Sequence, residues 1–96
     1  MVTAEVEIKN YLGIHLRPAA LFCEEAQKYS CKITFQVRNV TANAKSVLSV
    51  LAAGVKQHEM ISLSCDGEDE EQALLALVNL IEGGLGDDIG ANTEIE

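Results

Sequence analysis

Apolar and polar positions alternate over residues 2–8, with Val2, Ala4, Val6 and Ile8 on one side and Thr3, Glu5 and Glu7 on the other. That period belongs to a strand with one wet face. Past residue 15 the period lengthens: Ala19, Phe22, Cys23 and Ala26 recur opposite Glu24, Glu25, Gln27 and Lys28, which predicts a helix over 16–28. Alternation returns over 32–38, where Ile33, Phe35 and Val37 face away from Lys32, Thr34, Gln36 and Arg38. Arg38-Asn39 is a turn signal, so a short strand over 40–43 completes a hairpin. Ser46 is a favoured N-cap for a short helix carrying Val47, Val50 and Leu51, and Gly54 can close that helix in the left-handed conformation. Residues 60–65 alternate again, Ile61, Leu63 and Cys65 against Ser62 and Ser64, and Asp66-Gly67 turns the chain. Asp69 with Gln72 three residues on forms a capping box for a last helix, whose core face is Leu74, Leu77, Val78 and Ile81 and whose stop is Gly83-Gly84. Glu70 and Glu71 suit its positive end.

The order is βαββαβα, and the one-sided alternation of the longer strands implies an antiparallel sheet with helices over a single face. The expected fold is therefore α+β, an open-faced β-sandwich with a four-stranded antiparallel sheet and three helices on one face. A chain of 96 residues supplies one core and one domain. That domain is expected to span 1–85. From Leu85 on the periodicity fades among glycines and acids, so 86–96 is expected to be a flexible tail.

Composition narrows the function classes. Apolar residues make up 48% of the chain, enough to exclude a disordered body. With a formal charge of -8 and no Trp, a phosphate backbone would be repelled and bases would find few rings to stack on. Nucleic acid is not an expected partner. Cys23, Cys31 and Cys65 form no C-x-x-C pair and are odd in number, which points to reduced, buried thiols and away from a zinc knuckle. Neither a basic leader nor a membrane-length apolar run is visible, so the expectation is a cytoplasmic protein without membrane insertion. His58 has no partner at a recognisable spacing and reads as a solvated loop residue.

The stretch that carries chemistry is Gly13-Ile14-His15-Leu16-Arg17-Pro18-Ala19-Ala20. Pro18 suits a first helical turn, where a missing N–H costs nothing. The residues just before it then lie at a helix N-terminus, where unpaired N–H groups and the helix dipole favour a phosphoryl group. A histidine at neutral pH is largely a neutral nucleophile. Arg17 adds a fixed charge and planar donors suited to phosphate oxygens. Nucleophile, cation and N–H groups together describe a phosphoryl-accepting histidine, although a lone His at a helix start is also a common cap or surface residue.

The same stretch resembles the active-site signature of the HPr family, the histidine-containing phosphocarriers of the bacterial phosphotransferase system, whose motif runs Gly-hydrophobic-His-x-Arg-Pro-Ala. A second block, Lys45-Ser46-Val47-Leu48-Ser49-Val50-Leu51, resembles that family's regulatory serine segment. The likeness covers most of 1–85. It implies the open-faced sandwich already expected, and His15 taking a phosphoryl group at Nδ1 from phosphorylated enzyme I and passing it to enzyme II A domains in sugar uptake. Arg17 would stabilise the group and Pro18 position the helix start. The resemblance further implies a covalent carrier that is monomeric, needs no metal or organic cofactor, and is not an independent enzyme. Ser46 would be a regulatory phosphorylation site wherever an HPr kinase/phosphorylase is present, though capping alone explains a serine there. Leu16, Ala20, Val47, Leu48 and Leu51 match the family's docking surface, and each could equally be core.

Four positions depart from the family pattern: Leu16 in place of a small residue, Ser49 where glycine or lysine is common, and Glu24 and Gln27 on an often basic rim. Lost rim charge slows association more than it weakens contact. These departures leave room for a nitrogen-related or other regulatory paralogue not devoted to sugar transport. From other classes, a non-catalytic ferredoxin-like binding module would tolerate loss of His15, and a Ser46-only interaction protein would be modified at Ser46 alone.

Overall fold

The computed structural model describes residues 1–86; of the expected tail, residues 87–96 lie outside the described residues. Strands β1 (Val2–Glu7), β2 (Lys32–Val37), β3 (Val40–Asn43) and β4 (Met60–Asp66) and helices α1 (Leu16–Ala26), α2 (Val47–Ala52) and α3 (Glu70–Glu82) follow the expected order. The four strands form one sheet in the order β1-β4-β2-β3, with every neighbouring pair antiparallel.

Register separates the two faces. Ala4 lies opposite Leu63, Leu63 opposite Phe35, and Phe35 opposite Ala42, a row that points under the helices. One residue along, Glu5, Ser62, Gln36 and Thr41 make the matching row on the open face. Because side chains alternate with period two, a slip of one residue would exchange these rows and expose the core. Phe22 of α1 meets Phe35 edge-on at 5.9 Å between ring centroids, an arrangement the ring quadrupoles favour. Leu77 and Ile81 of α3 and Val50 of α2 are also fully buried. Each such side chain contributes about 1.5–3 kcal/mol by leaving water.

Some boundaries differ from expectation. Helix α1 ends at Ala26 and does not reach residue 28, because the N–H groups of Lys28 and Tyr29 turn to the carbonyls three residues back, Glu25 and Ala26, and tighten the chain. Asp69 occupies the N-cap position of α3 without capping it. Its carboxylate instead accepts the backbone N–H groups of Ser30 and Cys31, and Gln72 is exposed, so no capping box forms. Leu85, where the periodicity fades, is fully buried and its N–H donates to the Leu80 carbonyl.

Candidate functional site

The loop between β1 and α1 is held from two sides. Asn10 is buried and its side-chain amide donates to the Gly84 carbonyl at 2.7 Å, fixing the loop to the end of the last helix. Gly13 adopts φ +69 and lies so close to the segment after α2 that a Cβ would meet the Val55 oxygen at 2.2 Å. Only glycine fits there. The next residue, Ile14, is buried and its N–H donates to the same Val55 carbonyl at 3.0 Å.

These contacts deliver His15 to the N-cap of α1, in extended backbone (φ -87, ψ -168), with its carbonyl accepting the first intrahelical bond from Ala19. His15 is half-buried. The N–H groups of Leu16 and Arg17 fall in the first turn, where a helix offers them no acceptor. Pro18 occupies the third helical position, buried, and has no N–H to satisfy. No acidic side chain stands in that first turn, so the positive end of the helix is not countered from within it. Arg17 is exposed beside His15 in sequence, and Gly86 reaches its neighbourhood: a Cβ there would sit 3.8 Å from Arg17 Nε. The chain therefore seats His15 at the N-cap, with two first-turn amides beside it and Arg17 as the second residue of the helix; amides at a helix start suit a tetrahedral oxyanion, and a guanidinium carried by the same turn adds positive charge to that end.

Helix α2 packs beside α1. Gln27 donates to the Lys45 carbonyl at 3.0 Å, which ties the two helices together ahead of Ser46. Ser46 caps α2 as expected, its Oγ accepting the Ser49 N–H at 3.2 Å, while Ser49 Oγ accepts from the Asn43 N–H. Gly54, at φ +62, follows the end of α2 in the left-handed region.

The expected docking residues divide. Leu16 is 65% exposed and Leu48 79%, and Ala20 is exposed as well, whereas Val47 and Leu51 are half-buried and pack against the core. Tyr11 and Leu12, in the loop ahead of His15, are also exposed, so the apolar side chains left in water near the site outnumber those expected from the sequence. Their signal was present: two large apolar side chains in a loop that burial does not require.

Of the other titratable groups, His58 is exposed as expected but not solitary, since its Nδ1 lies 2.8 Å from a Glu7 carboxylate oxygen. That partner comes from β1, 51 residues away, beyond any local spacing rule. The three cysteines are buried as free thiols. Among the described residues no three His, Cys, Asp or Glu side chains gather to hold a metal ion, and no helix is long and apolar enough to cross a membrane.

A small open-faced sandwich that presents a histidine at a helix mouth defines a class of compact histidine-bearing modules. Known proteins specify it further. Residues 2–83 match the family model described as the PTS HPr component phosphorylation site. The chain is 41% identical over 81 residues to the phosphocarrier protein HPr of Haemophilus influenzae, covering 84% of this chain and 95% of that one. It is 35% identical over 82 residues to the HPr-like protein Crh of Halalkalibacterium halodurans, covering 85% and 98%. Its fold superposes on the crystal structure of HPr-C-His from Thermoanaerobacter tengcongensis with a TM-score of 0.87, at 44% identity and 92% and 99% coverage. The chain belongs to the HPr family, the phosphocarriers of the phosphotransferase system. Family membership sets aside the ferredoxin-like binding module as a reading of this fold.

Proposed function

We propose that His15 accepts a phosphoryl group from phosphorylated enzyme I and passes it to the A domains of enzyme II. The observation that carries this is the seating of His15 at the N-cap of α1, with Arg17 in the first turn and no acid there. In the transfer the donor's N–P bond breaks as a new one forms to Nδ1 of His15, and the donor imidazole is released. Helix amides and Arg17 receive the group's oxygens, so the protein's contribution is placement and charge neutralisation. Pro18 fixes the helix start on which both depend. The carrier then turns over by handing the group on, without a metal or organic cofactor.

Docking uses the exposed Leu16, Ala20 and Leu48, with Val47 and Leu51 supporting them from below. That patch must stay uncovered for partners to seat, which favours a monomer as the working form, in the cytoplasm where enzyme I would meet it. Ser46, at the head of α2 beside Leu48, is the regulatory position. A phosphate there adds roughly two negative charges next to an apolar docking patch and opposes binding to an acidic partner surface.

Incubation with phosphoenolpyruvate and a general enzyme I, followed by intact mass before and after mild acid, tests the reading. One acid-labile phosphoryl group on the native chain and none on His15→Ala is the expected result. No increment with several sources of enzyme I defeats simple carrier function. A second reading, a regulatory paralogue, is favoured by Leu16, Glu24 and Gln27 and by the likeness to Crh. It predicts that His15 is phosphorylated but passes the group to no sugar-specific acceptor.

A further inference from the structure

Residues 53–59, between α2 and β4, form the wall against which the His15 loop is built. Val55 accepts from Ile14 and abuts Gly13, while at the far end Ile8 N–H donates to the Glu59 carbonyl at 2.9 Å and His58 N–H donates to the Ile8 carbonyl at 2.6 Å. Gln57 adds a bond from its side-chain amide to the Lys9 carbonyl at 3.3 Å. The wall itself is irregular chain containing a left-handed glycine, Gly54, and something must hold it.

That something is Arg38, from the turn between β2 and β3. Its Nη1 donates to both carboxylate oxygens of Glu59, at 2.5 and 2.6 Å, and its Nη2 to the Ala53 carbonyl at 2.5 Å. Glu59 Oε1 also accepts the Lys56 N–H at 2.8 Å. One guanidinium thus grips the first and last residues of the segment, with Val55 between them. A lysine ammonium, a compact point charge without the planar two-nitrogen fork, does not match this geometry.

We propose that Arg38 and Glu59 are positioning residues for His15: they close 53–59 into a strap whose Val55 carbonyl fixes Ile14 and so aims the imidazole. This rests on the carrier reading above. The pair is partly exposed, 45% and 25%, so it adds little to global stability and is weakened by salt. Local order is another matter, because a misplacement of about 1 Å at a reacting group can cost 10²-fold in rate.

The test compares Arg38→Ala, Arg38→Lys and the gentler Glu59→Gln with the native chain. It reads amide exchange at Ile14, the NMR shifts of the His15 ring, and phosphoryl transfer to His15 at varied donor concentration. The expected result for Arg38→Ala is Ile14 exchange at least tenfold faster, with Phe35 and Leu63 amides unchanged. His15 ring shifts should move, and the saturating transfer rate should fall about fivefold or more with an unchanged half-saturating concentration. Arg38→Lys should fall between Arg38→Ala and native. Unchanged Ile14 exchange overturns the proposal, and so does faster exchange with native ring shifts and rate, which would make the strap merely structural. A change confined to half-saturation would assign Arg38 to docking and overturns it equally. Failure of the native chain to accept phosphoryl would sink the carrier reading instead, and Ile14 exchange and the ring shifts would still report on the strap.

Discussion

Asp69 Oδ1 accepts the backbone N–H of Cys31 at 3.0 Å, pinning the head of α3 to the chain entering β2, 38 residues away in sequence. Its other oxygen takes the Ser30 N–H at 2.8 Å. The bond from Ser30 is the main reason the Asp69 carboxyl is held below its ordinary value. Glu59 is lowered chiefly by the Arg38 guanidinium and Glu70 by the Gly67 N–H. A carboxyl whose folded value is depressed stabilises the fold above its unfolded value, near ~4, and loses that contribution as pH falls through the folded one. Asp69→Asn should therefore lower the urea midpoint at pH 7, and the gap to the native chain should narrow steadily below pH ~4. A gap that stays constant down to pH ~2 would show that the Asp69 charge plays no part.

Period and turn chemistry made all seven elements legible: the longer strands alternate and the helices carry an apolar stripe, while β3, exposed at three of its four positions, was legible from the Arg38-Asn39 turn. The His15 motif was legible for the same local reason: Pro18 marks a helix start, and the residues before it must lie at that start. What escaped was long-range. Asp69 has the sequence of a cap, yet two amides brought in by the β2 entry compete for its carboxylate and win. His58 looked solitary because Glu7 becomes its neighbour only when β1 pairs with β4. The Arg38 strap reads as two ordinary surface charges until the fold sets the β2–β3 turn beside residues 53–59. Leu85, beyond the Gly83-Gly84 stop and at the edge where the periodicity fades, carried no signal of its burial in the core.

The thiols offer a check on burial. Burial pushes the Cys65 thiol up to about 12, and desolvation raises Cys23 and Cys31 as well. Thiolate is the reactive form, so at pH 8 all three should resist alkylation by iodoacetamide over hours in the native protein. In concentrated urea all three should label within minutes. Rapid modification of one cysteine under native conditions, read by peptide mass, would mean that its part of the core opens locally.

Ser46 separates capping from regulation. Ser46→Ala removes the acceptor for the Ser49 N–H and should cost about 1 kcal/mol in chemical unfolding. Ser46→Asp keeps a capping oxygen and favours the helix dipole, so it should recover most of that stability. Its added charge should nevertheless weaken binding to enzyme I, more at low salt than at high. If both variants bound enzyme I as the native chain does, Ser46 would be a cap and nothing more.

Leu48 and Leu77 are chemically the same side chain at opposite ends of exposure, 79% and 0%. Leu77→Ala opens a cavity beneath the sheet's inner face and should cost about 2–5 kcal/mol, the range depending on how far its neighbours relax. Leu48→Ala removes a side chain that the fold already leaves in water, so its stability should stay within about 0.5 kcal/mol of native. On the carrier reading proposed above, Leu48 belongs to the docking patch, and its loss should then be felt in binding and not in folding. Titration of Leu48→Ala against enzyme I by calorimetry should show affinity reduced about fivefold or more, the roughly 1 kcal/mol that separates a contributing interface residue from its near-neutral neighbours. Native affinity in Leu48→Ala, with the same result for Leu16→Ala, would place the docking surface elsewhere. The exposed pair Tyr11 and Leu12 would be the next to truncate.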